Sequence, residues 1–204
     1  MRKNRGRLIA LEGIDQAGKR TQAALLARKL SRRGYATSIW SFPDYKTPLG
    51  KQLKVYLAGR RKLDYHSVHL LYAANKWEQA SKLENAIRDG SNIIVNRYSP
   101  SNIAYGVAHG LPLAWLNSLE DGLPKPDAVF VLDINPSISF KRKSRRRDVH
   151  ERDLKYLQKV RSAYLRLARK YGWRVVDANK SLDNVHSELW TGVSGLLKIK
   201  LANP

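Results

Sequence analysis

Short apolar runs alternate along this chain with longer stretches in which apolar residues recur every three or four positions. Leu8–Glu12 begins with four apolar residues and reads as a buried strand. Residues 21–33 predict a helix with Ala24, Leu25, Leu26 and Leu30 on its apolar face. Residues 36–42 read as a second strand. Residues 64–89 predict one long helix, with Val68, Leu71, Tyr72, Asn75 and Gln79 at helical spacing, ended by Gly90. Residues 93–95 and 128–133 read as further strands, 153–171 as a helix, 174–176 as a last strand and 182–197 as a closing helix. Such alternation predicts an α/β fold, a parallel sheet covered by helices on both faces. No internal repeat or low-complexity linker interrupts it, so residues 1–204 read as a single domain.

Composition narrows the chemistry. The chain has no cysteine, which excludes a disulfide framework, a thiol nucleophile and a cysteine-ligated zinc site. A basic N-terminus precedes Leu8 to Leu11, but that apolar run is too short for a signal peptide or a membrane span, and a cytoplasmic protein without a membrane partner is expected. The formal net charge of +21 attracts polyanions: nucleotides, nucleic acid or acidic lipid heads. Composition does not choose among these, or between them and a merely solvated surface. The segment Lys141-Arg142-Lys143-Ser144-Arg145-Arg146-Arg147 is too charged to belong to a core.

One motif is specific. Gly13-Ile14-Asp15-Gln16-Ala17-Gly18-Lys19-Arg20-Thr21 follows the first strand and leads into a helix, which is the context a Walker A loop requires. Glycines let the backbone curl so that several amide N–H groups face one anion. The helix N-terminus adds partial positive charge, and Lys19 can reach β- and γ-phosphates. The hydroxyl residue that should follow the lysine and hold Mg²⁺ is absent. Arg20 stands there, and Thr21, one position on, faces about 100° further round a helix.

With the segments behind it, this loop resembles the thymidylate kinases. The pieces are Leu11 to Lys19, Phe42-Pro43-Asp44, the stretch from His66 to Glu78, Asn96-Arg97-Tyr98, Gly122 to Asp127 and Val176 to Ser181, in an order and spacing that span nearly the whole chain. The resemblance implies a P-loop NTPase fold, three layers α/β/α around a five-stranded parallel sheet, with a mobile lid at about residues 141–152. It implies transfer of the γ-phosphoryl group of ATP to dTMP, with Mg²⁺ accompanying the nucleotide, and a homodimer.

Carried over residue by residue, the resemblance makes Gly13 to Thr21 the ATP-binding loop, with Ala178 and Asn179 cupping adenine. Arg97 would grip the acceptor phosphate. Phe42 and Tyr72 would line the thymine slot, Tyr105 would pack beside the deoxyribose, Asp15 would bond the 3′-hydroxyl, and Ser101 would lie near the base edge. The loop has Gln16 where some relatives carry a catalytic arginine, so the lid would supply one: Arg142, Arg145, Arg146, Arg147 or Arg152. Lys19, Arg97, Asp15, Arg142 and Arg147 form the expected catalytic set. The chain departs from the family's pattern at Arg20, at Asn96 for an aspartate, at Tyr45 for a phosphate-binding arginine, and at Lys76 for the base-reading arginine. These departures leave two alternatives open: a weakly catalytic nucleotide-binding protein with a nucleic-acid or protein partner, and a kinase for another acceptor such as dUMP.

Overall fold

The computed structural model describes residues 5–142 and 153–199. In chain order the elements are β1 (Leu8–Glu12), α1 (Lys19–Ser31), β2 (Thr37–Ser41), α2 (Pro48–Leu57), α3 (Tyr65–Trp77), α4 (Ala80–Arg88), β3 (Asn92–Asn96), α5 (Ser99–Ala108), α6 (Leu113–Glu120), β4 (Ala128–Asp133), α7 (Pro136–Arg142), α8 (Leu154–Tyr171), β5 (Arg174–Asp177) and α9 (Leu182–Leu196). The strands form one parallel sheet in the order β2-β3-β1-β4-β5.

Register explains why chemistry collects at one edge. Leu11 pairs with Asn96 and Glu12 with Val131, so β1, β3 and β4 end on the same edge of the sheet within a few residues of one another. The loops after parallel strands therefore open on the same side, where open α/β sheets bind ligands. All five residues of β1 are buried, including Glu12, as expected for a central strand covered on both faces. Helix α1 packs on β2 and β3 and against α9, while α8 packs on β4 and β5 and against α5.

The strands agree closely with the sequence pattern; the helices depart from it in three ways. First, α1 starts at Lys19, and its buried side is Lys19, Gln22, Ala23, Leu26 and Leu30. Ala24 is exposed and Leu25 only half-buried, because the contact face begins with the loop lysine rather than with the leucine pair. Second, the long helix expected over 64–89 is two helices, α3 and α4. The break at Glu78 and Gln79 has no glycine or proline. Instead Glu78 accepts from Leu49 N–H at 3.2 Å and from the Asn75 amide at 3.0 Å, tying the end of α3 to the start of α2. Third, α2, α5, α6 and α7 are additional. For α2 the cue is local: Thr47 caps the helix by accepting from Gly50 N–H, and Pro48 occupies the first turn.

Candidate active site

The loop between β1 and α1 is shaped by two glycines. Gly13 has φ 126°, and a Cβ there would lie 2.4 Å from the Leu132 carbonyl oxygen, so only glycine lets β1 pass β4 this closely. Gly18 has φ 89° and open space before it, and it delivers the chain into the first turn of α1. Lys19 is buried and folds back over the loop, its Nζ donating to the carbonyls of Gly13 at 3.0 Å and Ile14 at 2.7 Å. No acidic residue occupies the first turn of α1, so the positive end of the helix dipole is not neutralised from within the helix.

Facing this loop is Arg97, the residue after β3, held at φ 64°. Its guanidinium donates to Asp15 Oδ1 at 2.8 Å, to Tyr105 OH at 3.1 Å and to Ser101 Oγ at 3.2 Å. Burial opposes its charge, but Asp15, Tyr105 and Tyr164 outweigh burial and hold its pKa well above the ordinary arginine value. Ser101 and Tyr105 lie one turn apart on α5 and so reach the same guanidinium.

Beneath this pair is a residue to which the sequence reading assigned no role. Glu12 is fully buried and accepts from Tyr98 N–H at 2.8 Å, from Tyr164 OH at 3.1 Å and from Ser101 Oγ. Burial raises its pKa, and the hydrogen bond from Ser101 and the charge of Arg97 partly offset that. The available signal was one carboxylate ending an otherwise apolar strand. Ser101 lines the cavity and is bonded to both Arg97 and Glu12.

A cavity of about 760 Å³ joins these groups. Asp15, Gln16, Gly18, Lys19, Arg20, Thr21, Phe42, Tyr72, Lys76, Arg97, Ser101 and Tyr105 line it, which brings most of the expected site residues together. Tyr45 and Asn96 line it as well. Gly13, Ile14 and Ala17 lie in the loop behind it. Ala178 and Asn179 are not part of the lining; they sit in the turn after β5, where Ala178 N–H donates to Asp133 O at 2.8 Å and Asn179 Oδ1 accepts from Asn135 N–H at 3.1 Å. Lys76 borders the cavity but is committed elsewhere. Its Nζ lies 3.0 Å from Glu120 Oε1 and donates to the Tyr72 carbonyl at 2.9 Å. The lid arginines 145, 146, 147 and 152 lie outside the described residues, and Arg142 ends α7.

Both stems of that segment are anchored. On α7, Ser139 Oγ donates to the Asp15 carbonyl at 2.7 Å. On α8, Arg161 grips Asp133 with two bonds of 2.6 and 2.8 Å. Neither contact has a sequence signature.

The donor set departs from the usual site for a protein-held Mg²⁺ ion, although Thr21, with its hydroxyl, lines the cavity as well. The hydroxyl position carries the Arg20 guanidinium, and Asp15 is bonded to Arg97. Asn96 offers only a neutral oxygen, Oδ1, which is buried without a hydrogen-bond partner. No group of three His, Cys, Asp or Glu residues suited to a metal exists among the described residues.

A parallel sheet of this order, with a glycine loop and a lysine at the start of the helix after β1, defines a P-loop nucleotide-binding protein. The sequence model of the family described as thymidylate kinase matches residues 11–189. The thymidylate kinase of Arabidopsis thaliana is 37% identical over 187 residues, covering 92% of this chain and 70% of that protein. The human thymidylate kinase is 35% identical over 93% of this chain and 90% of its own length. A solved thymidylate kinase structure from Candida albicans superposes with a TM-score of 0.86 at 32% identity, covering 98% of this chain and 96% of its own. The chain belongs to the thymidylate kinase family.

Proposed function

We infer that this chain catalyses ATP + dTMP → ADP + dTDP. One cavity carries the reading: the phosphate loop with Lys19 and the aromatic wall of Phe42, Tyr72 and Tyr105 open into the same space, with Arg97 among the lining residues. The loop amides and Lys19 hold the donor's β- and γ-phosphates. Arg97 holds the acceptor phosphate, whose oxygen attacks the γ-phosphorus while the bridging oxygen leaves with ADP. Asp15 and Tyr105 orient Arg97, and in the complex Asp15 turns to the 3′-hydroxyl. Tyr105 crowds the 2′ position, and Tyr72 stacks on thymine. Lys76, its charge held by Glu120, presents its stem to the base side. Lid arginines, Arg142 and Arg147 foremost, stabilise the charge on the transferring group. Ala178 and Asn179 border the adenine side. The whole of 1–204 serves as one catalytic domain in the cytoplasm, and no helix among the described residues is long and apolar enough to cross a membrane. A homodimer completes the reading; Leu70 and Trp77 on α3 are 49% and 46% exposed, which suits contact with a second copy.

The test is ADP formation with a panel of monophosphates. The reading expects dTMP to be best, dUMP poorer by the effect of one methyl, about 1–3 kcal/mol, and ribonucleotides worse. Equal turnover of UMP and dTMP would remove the assigned pocket.

A second reading, a nucleic-acid partner, is favoured by α8. Its exposed residues include Lys155, Lys159, Arg166, Arg169 and Lys170, and the helix contains no acidic residue. Such a stripe suits a phosphate backbone. A labelled oligonucleotide retained at low salt and released as salt rises, with weaker retention after charge reversal on α8, checks it.

A further inference from the structure

Arg20 is the residue least explained by phosphate-loop chemistry. It occupies the position where a hydroxyl ordinarily holds Mg²⁺, yet its side chain is exposed and lines the cavity beside Lys19 and Arg97. Among the described residues it has no hydrogen bond or ion pair, whereas Arg97 and Lys76 are each held by a carboxylate. The described residues lining the cavity include four cations, Lys19, Arg20, Lys76 and Arg97, against one carboxylate, Asp15. That carboxylate already faces Arg97. At the end of β3, Asn96 contributes no charge, and its Oδ1 is sealed from solvent without a partner.

These observations agree in sign. The described lining offers one carboxylate, paired with Arg97, to recruit a divalent cation, and it carries an extra exposed cation in the first turn of α1. A guanidinium is charged at any physiological pH and presents a planar fork of donors matched to phosphate oxygens. We propose that Arg20 binds the β- and γ-phosphates of ATP directly and supplies charge that a protein-held Mg²⁺ would otherwise supply, so that this chain binds metal-free nucleoside triphosphate. The inference rests on the ATP-binding reading above.

Calorimetric titration of ATP into the intact chain, once with excess Mg²⁺ and once with EDTA, tests both separately. Chelation is expected to weaken binding by less than about tenfold, a small loss for a site whose charge is built into the protein. Arg20→Ser should widen the gap between the two conditions by about tenfold or more, and Arg20→Ser with Asn96→Asp should widen it further, less or more than additively because both changes act on one charge balance. Arg20→Lys should retain part of the metal-free binding as a point charge without the fork. Arg20 is exposed, so circular dichroism should show each single variant folded. ATP binding that vanishes with EDTA in the unaltered chain overturns the inference and spares the ATP reading. An Arg20→Ser variant with unchanged metal dependence also overturns it and moves the role to Thr21. No binding in either condition overturns the ATP reading itself, and the inference with it.

Discussion

Arg97 and Asp15 are bonded at 2.8 Å across the mouth of the phosphate loop, and the Tyr105 hydroxyl donates to Asp15 Oδ2 at 3.4 Å while accepting from Arg97. The pair connects two loops that are 82 residues apart in sequence and adjacent only because β1 and β3 are neighbours. It keeps the guanidinium charged and oriented before an acceptor arrives, so less ordering remains to be done on binding.

Arg97→Ala should weaken dTMP binding by about 1.5–3 kcal/mol, the range for hydrogen bonds to a charged group, and leave ATP binding nearly unchanged. Asp15→Asn should cost less, since the arginine survives with Ser101 and Tyr105 still beside it. The double variant should fall short of the sum, because the two residues act as one unit. Titration with each nucleotide decides it; equal loss of both ligands would make Arg97 a structural residue.

Gly13→Ala should destabilise the fold. The new Cβ meets the Leu132 carbonyl at 2.4 Å, and φ 126° is foreign to alanine. Strain of this kind costs about 1–3 kcal/mol, and each kcal/mol lowers the Tm of a chain this size by about 2–4 °C. Gly18→Ala meets no atom within 4 Å and carries only the conformational part, so its drop should be smaller. Thermal unfolding of both variants checks the order.

His69 should make stability depend on pH. It is fully buried on α3, its ring lying 2.6 Å from Asn102 Oδ1 and 3.0 Å from His109 Nδ1. Burial first, then Lys76 and His66, push its pKa down from 6.5 to about 4, and the Asn102 contact only partly opposes them. The unfolded chain therefore takes up this proton first as pH falls. The contribution is present at and above pH 6.5 and is lost as pH falls toward 4. At about 1.4 kcal/mol per pH unit it amounts to at most about 3–4 kcal/mol. Urea unfolding at pH 7 and pH 4.5 should show the loss, and His69→Gln should flatten that slope. Equal slopes in both proteins would assign the acid sensitivity elsewhere.

The sequence by itself determined the parallel α/β core and the phosphate loop. Both are written in local order: apolar runs of strand length, a glycine-bounded loop, and a lysine at the start of a helix. β1 and β4 fall where the pattern puts them, because a central strand must be apolar along its length. Lys19, Arg97, Phe42 and Tyr72 could be singled out because each sits in a segment whose order and spacing resemble one family, and with Tyr105 they line one cavity. Tertiary structure alone decided the break between α3 and α4, where Glu78 bonds to α2 and no residue in between marks a stop. It alone joined Ser101 to Arg97 and Glu12, paired Lys76 with Glu120, and placed Glu12 beneath the site. Side-chain partners this far apart in sequence are chosen by strand register and helix packing, and no local pattern encodes a hydrogen bond whose two ends are brought together only when the sheet closes.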